Sequence, residues 1–309
     1  MNTLHRLVRN AVSKLTRLAG TDSQLVLSGK LLAAVHLQKP TIDDLTEVEF
    51  RVFSQFGEDG IVEWLVSLLP IASNTFIEFG VEDYRESNTR FLLVNRNWRG
   101  LVLDGDAKNI AAVYTDEISY KHDLKAVASF ITADNINASI ERAGFGERIG
   151  LLSVDLDGID WWVLQAVNVA ADILIVEYND FLGDLPVTVP YAQDFVRNKA
   201  HWSNGYWGAS LAAFKHLLAG REYVFVGTNA AGCNAFFVRT EHETMLRAKL
   251  RNFRAHPSVI RDARNRDGRL AYTGYRQFLP DMASLPLVRV DTMEPTTVAE
   301  ALSPQLDTT

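Results

Sequence analysis

The sequence has a single cysteine, Cys233, in 309 residues. One thiol excludes an internal disulfide framework and any zinc site built on several cysteines. A reducing cytoplasm is the simplest setting for such a chain. Positive charge is also in short supply: 31 Lys and Arg against 38 Asp and Glu give a net charge of −7. That balance gives no general drive toward nucleic acid or other polyanions. Apolar runs of about 18 residues, the length a membrane-crossing helix requires, are missing. The amino terminus lacks the compact apolar core and small-residue cleavage site of a signal peptide. Internal repeats, low-complexity tracts and the G-x-G-x-x-G phosphate-binding pattern are missing as well.

What is present begins with a basic amphipathic segment over residues 3–19. Leu4, Leu7, Val8, Ala11, Val12, Leu15 and Leu18 follow the spacing of one helical face, and Arg6, Arg9, Lys14 and Arg17 occupy the remainder. Two readings stand. Residues 1–20 dock on an anionic membrane surface, which would place the protein at the inner face of the membrane. Alternatively, the helix packs on its own domain or on a second subunit of a homo-oligomer. Residues 41–69 read as helical with an interruption at SQFGEDG. Three regions result: a helical extension over 1–48, a main domain over 49–240, and a helix followed by an irregular tail over 241–309.

Within the main domain the pattern changes to short apolar strands alternating with helices. Strands are predicted at 75–79, 99–104, 118–121, 149–155, 173–178, 223–227 and 235–239. Helices are predicted at 89–95, 109–114, 133–143, 161–167 and 209–219. Segments such as GLVLD, GLLSVD and DILIVEY are almost uninterrupted apolar runs, as expected of strands covered on both faces. The fold class is therefore α/β, with a seven-stranded, mostly parallel sheet joined by right-handed crossovers. The last two strands are too close for a crossover. They read as a hairpin turning at Asn229 to Gly232, which makes one strand near the sheet's end antiparallel.

Open parallel sheets bind ligands at the carboxyl ends of their strands. On this reading those ends carry Glu78 and Gly80, then Asp104 and Asp106, Asp123, Asp155 and Asp157, and finally Glu177, Asn179 and Asp180. Carboxylates in a half-buried crevice are unfavourable unless something pairs with them. The segment TFIEFGVEDYRESN has one glycine and several acids, so it would repel a pyrophosphate. Asp104 lies about 20 residues past the glycine turn, the place of an acid that accepts from ribose hydroxyls. S-adenosylmethionine combines a cationic sulfur, an ammonium and ribose hydroxyls with no phosphate, and it suits such a turn.

FIEFGVEDYRESNTRFLL, GLVLDGD, GLLSVDLDGIDWWVLQAV, ILIVEYN and the lead-in FSQFGEDGIV together resemble the FkbM-like branch of S-adenosylmethionine-dependent methyltransferases over residues 53–238. The resemblance implies a Rossmann-like fold and O-methylation of a sugar hydroxyl in a cell-surface glycan or its nucleotide-linked precursor. It places Glu78 and Gly80, with Asn88 beyond them, at the methionine-end turn. Asp104 falls on the ribose, Asp123 on the adenine amino group, and Gln55, Gly57, Glu58 and Asp59 near the amino-acid end. The chain reads VDLDG where many relatives have an aspartate–variable–glutamate–glycine. It reads LDGD where many have an acid followed by proline, which leaves the ribose role between Asp104 and Asp106.

Methyl transfer to an alcohol needs removal of its proton. Two designs are open. In one, Asp155, Asp157, Glu177 and Asn179 hold Mg²⁺ or Mn²⁺ through oxygen ligands. In the other there is no metal, and the base is an acid such as Asp155 or a histidine, of which His201 is the best placed. Structural roles compete with these. Asp157 and Asp160 could cap the helix starting near Trp161. Trp202, Tyr206 and Trp207 suit either a sugar ring or a core, and Cys233 reads as a buried bystander. The competing functions are an NAD-dependent or nucleotide-sugar-modifying enzyme, and a non-catalytic binding scaffold on the same fold.

Overall fold

The computed structural model describes residues 21–306. The basic segment over 3–19 and its two readings lie outside that range. Seven strands form the main sheet: β1 (Thr75–Phe79), β2 (Arg99–Asp104), β3 (Leu124–Ala128), β4 (Arg148–Val154), β5 (Ala170–Glu177), β7 (Tyr223–Thr228) and β8 (Asn234–Arg239). Strand β6 (Val187–Thr188) belongs to a second, smaller sheet. The main sheet runs in the order β3-β2-β1-β4-β5-β8-β7. All its pairings are parallel except those of β8, which is antiparallel to both β5 and β7. The reversed strand therefore sits one place in from the edge, inserted between β5 and β7.

Apolar side chains alternate across each strand and feed two separate cores. Phe76, Val102, Leu151 and Ile175 point to the face covered by the helices Glu58–Leu68, Arg90–Arg96 and Ala107–Thr115. Ile77, Leu101, Leu152 and Val176 point to the other face, under the helices Ile136–Arg142, Asp160–Ala166 and Leu211–Ala219. Burial on both faces is why these strands carry almost no polar residues until their carboxyl ends.

Three expectations need correction. Residues Ile118–Lys121 form a helical turn rather than the third strand, its start capped where Asp116 Oδ1 accepts from the Ile118 N–H. The true β3 follows at LKAVA, an edge strand whose alternate residues are exposed, so its apolar signal is weak. The stretch 41–57 is not helical beyond a short 3₁₀ turn, Leu45–Val48, and the helix begins only at Glu58. Residues 255–274 are irregular as expected, but 275–306 carry regular elements and are not a tail. Strands β9 (Pro286–Arg289) and β10 (Pro295–Thr297) pair with β6 in a three-stranded sheet. Phe181, Leu182, Val187, Tyr206, Leu287 and Leu302 fill a separate apolar cluster beneath it.

The helix Thr21–Leu37 packs Ala33 against Phe50 and Phe91, and leaves Leu27, Leu31 and Val35 about 60% exposed on its outer side. Among the described residues no helix is long and apolar enough to cross a membrane.

Candidate functional site

The chain steps outward from β1 to β2 and β3, then returns to place β4 on the other side of β1. Such a reversal opens a crevice at the carboxyl ends of the strands. A cleft of about 1080 Å³ lies there, lined by Glu78, Gly80, Asp104, Asp155, Glu177 and Asn234 among others. Residues 258–277 close its outer side through Asp262, Tyr275 and neighbouring positions.

At the end of β1, Glu78 is buried and all its contacts are internal. Its Oε1 accepts from the Asn88 N–H at 2.8 Å, and its Oε2 accepts from Ser87 Oγ, Thr89 Oγ1 and the Thr89 N–H. Burial pushes the carboxyl upward, and these four donors act against that rise. Glu78 thus shapes the loop that follows β1, with no cationic side chain among its hydrogen-bond partners. Asn88 extends the same network, donating from Nδ2 to Ser153 Oγ. Glu82 and Tyr84 in this loop hold left-handed backbone angles, φ 45° and 59°, which non-glycine residues adopt only where the surroundings enforce it.

Asp104 ends β2. Its Oδ2 accepts from the Glu82 N–H at 2.8 Å, and its Oδ1 accepts from the Asp106 N–H and Asn109 Nδ2. Each carboxylate oxygen has about two acceptor sites, so Oδ2 keeps one to offer. Asp106 caps the following helix by accepting from the Lys108 N–H and does not line the cleft. Between the two, the position on the cleft belongs to Asp104.

The floor is acidic. Asp155, Asp157 and Glu177 each place a carboxylate oxygen within 4.8 Å of the others. Asp155 and Glu177 keep an opening toward the cleft but are otherwise enclosed by protein. Burial, reinforced by the neighbouring acids, drives both carboxyls well above the usual range. Glu177 Oε2 is buried without a hydrogen-bond partner. Asp157 has φ 54° and is held by Arg197, Nη1 to Oδ1 at 2.7 Å. Arg197 also reaches Asp262 at 3.2 Å and the hydroxyl of Tyr275, with its guanidinium 4.2 Å above the Trp207 ring. It joins the floor to the covering segment. Asp160 is buried and accepts from the N–H groups of Leu156 and Gly158, which fixes the intervening turn. Burial pushes its carboxyl up to about 6.

Several predicted residues fall elsewhere. Asp123 precedes β3 instead of following a strand. It lies at the opposite edge of the sheet, exposed and 3.7 Å from Arg99, and cannot face a nucleoside in the cleft. Gln55 lines the cleft, but Gly57, Glu58 and Asp59 do not. Glu58 is buried and accepts from Asn229, Asn234 and the N–H groups of Phe56 and Gly57. Asp59 accepts on one oxygen from the N–H groups of Val52, Phe53 and Ser54. Both hold the lead-in loop in shape beneath the surface.

Asn179 touches the cleft, but its amide is committed. Nδ2 donates to the carbonyls of Gly205 and Trp207, and Oδ1 accepts from the Phe181 N–H. These bonds fix the amide toward residues 181 and 205–207 and leave Oδ1 one acceptor site. His201 lies outside the cleft, with Nδ1 2.7 Å from Ser203 Oγ and its ring against Trp202. It is not placed to act as a base. Tyr206 donates its hydroxyl to Pro286 O in the small-sheet region, and of the three aromatics only Trp207 lines the cleft.

Arg197, Asp262 and Tyr275 were not singled out from the sequence. The signal for Asp262 and Tyr275 was faint: 258–277 is rich in charge, with two tyrosines, and resembles an ordinary solvated surface.

No family model matches the chain, and no curated protein matches it. Similar solved structures include the O-methyltransferase from Bacillus cereus in complex with SAH, at 13% identity and a TM-score of 0.39, covering 69% of this chain and 89% of that one. The CurJ carbon methyltransferase aligns at 12% identity and a TM-score of 0.36, covering 74% and 70%. The plantazolicin methyltransferase BamL, in complex with a triazolic desmethylPZN analogue and SAH, aligns at 12% and 0.32. The alignment with BamL takes in 49% of this chain and only 57% of BamL's length. Likenesses this distant carry no argument about chemistry, which has to come from the residues of the cleft.

Proposed function

We propose that this protein is an S-adenosylmethionine-dependent methyltransferase of the FkbM-like kind, transferring a methyl group to a sugar hydroxyl of a cell-surface glycan or its nucleotide-linked precursor. One observation carries the reading: the cleft presents acids at the ends of β1, β2, β4 and β5, and three of the β1 loop's backbone N–H groups are already taken by two of them. Asn88 and Thr89 donate to Glu78, and Glu82 donates to Asp104. A pyrophosphate, which depends on backbone N–H groups in such a turn, would find them occupied. This disfavours the NAD and nucleotide-sugar readings. A cationic nucleoside without phosphate meets no such obstacle.

In this arrangement Asp104 Oδ2 accepts from a ribose hydroxyl. Gly80 lets the β1 backbone pass against β4, leaving the crevice open for the methionine end. The donor would supply the methyl group, its sulfur leaving as the acceptor oxygen bonds to carbon, and Asp155 would take the hydroxyl proton. Burial and the neighbouring acids raise the affinity of Asp155 for protons, which strengthens it as a proton acceptor. Trp207, Tyr275 and Asn234 line the same cleft. That combination suits a sugar.

The hard oxygen donors Asp155, Asp157 and Glu177, with one Glu177 oxygen buried and unpartnered, also fit a divalent cation. Bound there, Mg²⁺ or Mn²⁺ would supply Lewis acidity toward the acceptor hydroxyl.

Isothermal titration with S-adenosylmethionine and its demethylated product tests the proposal. Micromolar binding by the intact protein, weakened at least tenfold in Asp104→Ala, is expected. Absence of binding by the intact protein would sink it.

A further inference from the structure

Asn234 opens β8 and is the antiparallel register partner of Glu177, the last residue of β5. Partners in such a pair project from the same face, with Cβ atoms about 5 Å apart. The neighbouring strand β4 leads directly into Asp155, because Val154 pairs with Val176 in the parallel register. Asp155, Glu177 and Asn234 therefore stand in a row across three adjacent strand ends, and all three line the same cleft.

The orientation of the Asn234 amide is set from behind. Glu58 Oε1 accepts from Nδ2 of both Asn229 and Asn234, at 2.6 and 2.8 Å. A carboxylate accepts only, so it draws both NH₂ groups toward itself and turns both carbonyl oxygens away. Asn229 Oδ1 is then satisfied by the N–H groups of Cys233 and Asn234. Asn234 Oδ1 has no partner, although the residue is only 6% exposed. Its register partner Glu177 also has a buried oxygen without a partner, Oε2. Each of these two register partners thus holds a buried acceptor oxygen that meets no hydrogen-bond donor among the described residues. Unmet buried acceptors of this kind are rare and call for a ligand. Flipping the Asn234 amide would only turn its oxygen onto the Glu58 carboxylate.

We infer that Asn234 supplies the neutral oxygen ligand of a divalent-cation site whose charged ligands are Asp155 and Glu177, with Glu58 as the residue that aims it. The inference rests on the cation-assisted form of the proposed function. It replaces Asn179, whose amide holds residues 205–207. Asp157, whose Oδ1 is held by Arg197, borders the same site and keeps its other oxygen. An all-oxygen set with one amide and two carboxylates suits a small hard cation such as Mg²⁺ or its spin-active substitute Mn²⁺.

The test uses Mn²⁺ alone, titrated into the full chain and followed by the electron paramagnetic resonance signal of the free ion. The intact protein binds one Mn²⁺, and the double variant Asp155→Asn/Glu177→Gln does not. Asn234→Ala weakens binding by about tenfold or more. Glu58→Gln removes no oxygen from the cleft, yet its NH₂ competes for the Asn234 carbonyl. It should also weaken Mn²⁺ by roughly tenfold, as outer partners of metal ligands do. If the intact protein binds no Mn²⁺, the cation reading itself falls, whereas the methyl-donor reading is judged separately by titration with S-adenosylmethionine. If the intact protein binds but both single variants bind within twofold of it, the assignment of Asn234 is overturned. Should the variants fail to fold, a Mn²⁺-soaked crystal of the intact protein decides. An anomalous peak about 2.1 Å from Asn234 Oδ1 is expected, and a peak out of its reach overturns the inference.

Discussion

Gly80 stands against the backbone of Asp155 so closely that a Cβ there would lie 1.6 Å from the Asp155 carbonyl oxygen. Its φ of +74° is also one that side chains resist. The contact joins the carboxyl ends of β1 and β4 where the strand order reverses, which is the base of the cleft. Gly80→Ala must push these two ends apart. We expect a loss of about 3 kcal/mol or more in urea unfolding, in the range of substitutions that strain a special backbone angle and force a core shift. Binding of S-adenosylmethionine should be lost as well. A variant of unchanged stability would show that the two strands do not depend on this close approach.

Asp104 and Asp106 separate two roles that adjacent acids could share. Asp104→Ala should weaken binding of the demethylated cofactor product at least tenfold, about the 1.4 kcal/mol of one charge-assisted hydrogen bond. Asp106→Ala removes a helix cap and should lower stability by about 1 kcal/mol. It should leave the affinity for the same ligand within twofold. Paired calorimetric titrations and thermal melts distinguish the two; the opposite pattern would assign the ribose to Asp106.

Much of the sheet could be read before the structure because its strands are buried on both faces and their apolar runs are dense. The third strand escaped because LKAVA lies at the edge, half exposed, while the helical turn before it carries the β-branched and aromatic residues expected of a strand. That displacement carried Asp123 from the cleft to the opposite rim. Acids at strand ends were legible as a group, but the sequence could not distinguish Glu78 and Asp104, which line the cleft, from Glu58 and Asp59, which support a loop from below. Those roles depend on which backbone N–H groups come within reach after folding. The covering segment was hidden for another reason. Arg197, Asp262 and Tyr275 meet across 78 residues, and no local pattern announces a contact of that kind.

Arg197 ties Asp157 on the floor to Asp262 and Tyr275 above it. It is mostly buried, whereas Asp157 and Asp262 are open to solvent and Asp262 keeps the Tyr275 hydroxyl, so its removal forfeits hydrogen bonds without stranding a buried charge. Arg197→Met should therefore lower stability by about 2 kcal/mol. Tyr275→Phe, which removes one hydroxyl, should lower it by only about 1 kcal/mol. Both variants should become easier to cleave within residues 258–277 under limited proteolysis, Arg197→Met more so. Cleavage rates equal to those of the intact protein would mean that other contacts hold the covering segment.

Asp59 gives the protein a pH dependence of definite sign. Burial pushes its carboxyl up to about 6, against the opposing effect of three backbone N–H groups from Val52, Phe53 and Ser54. In the unfolded chain an aspartate titrates near ~3.9. Below that value both states hold the proton, and the folded state bears no penalty from this group. As pH rises from ~3.9 to 6 the unfolded chain releases its proton while the folded chain still holds it, and the folded state loses stability until both have released it above 6. A displacement of about two units corresponds to at most about 3 kcal/mol. Urea unfolding between pH 4 and pH 7 should therefore show a contribution that falls with rising pH and is missing from Asp59→Asn, whatever the absolute stability of that variant. Equal pH slopes for the two proteins would show that the three amides hold the Asp59 carboxyl at its ordinary value, and that this loop is indifferent to pH.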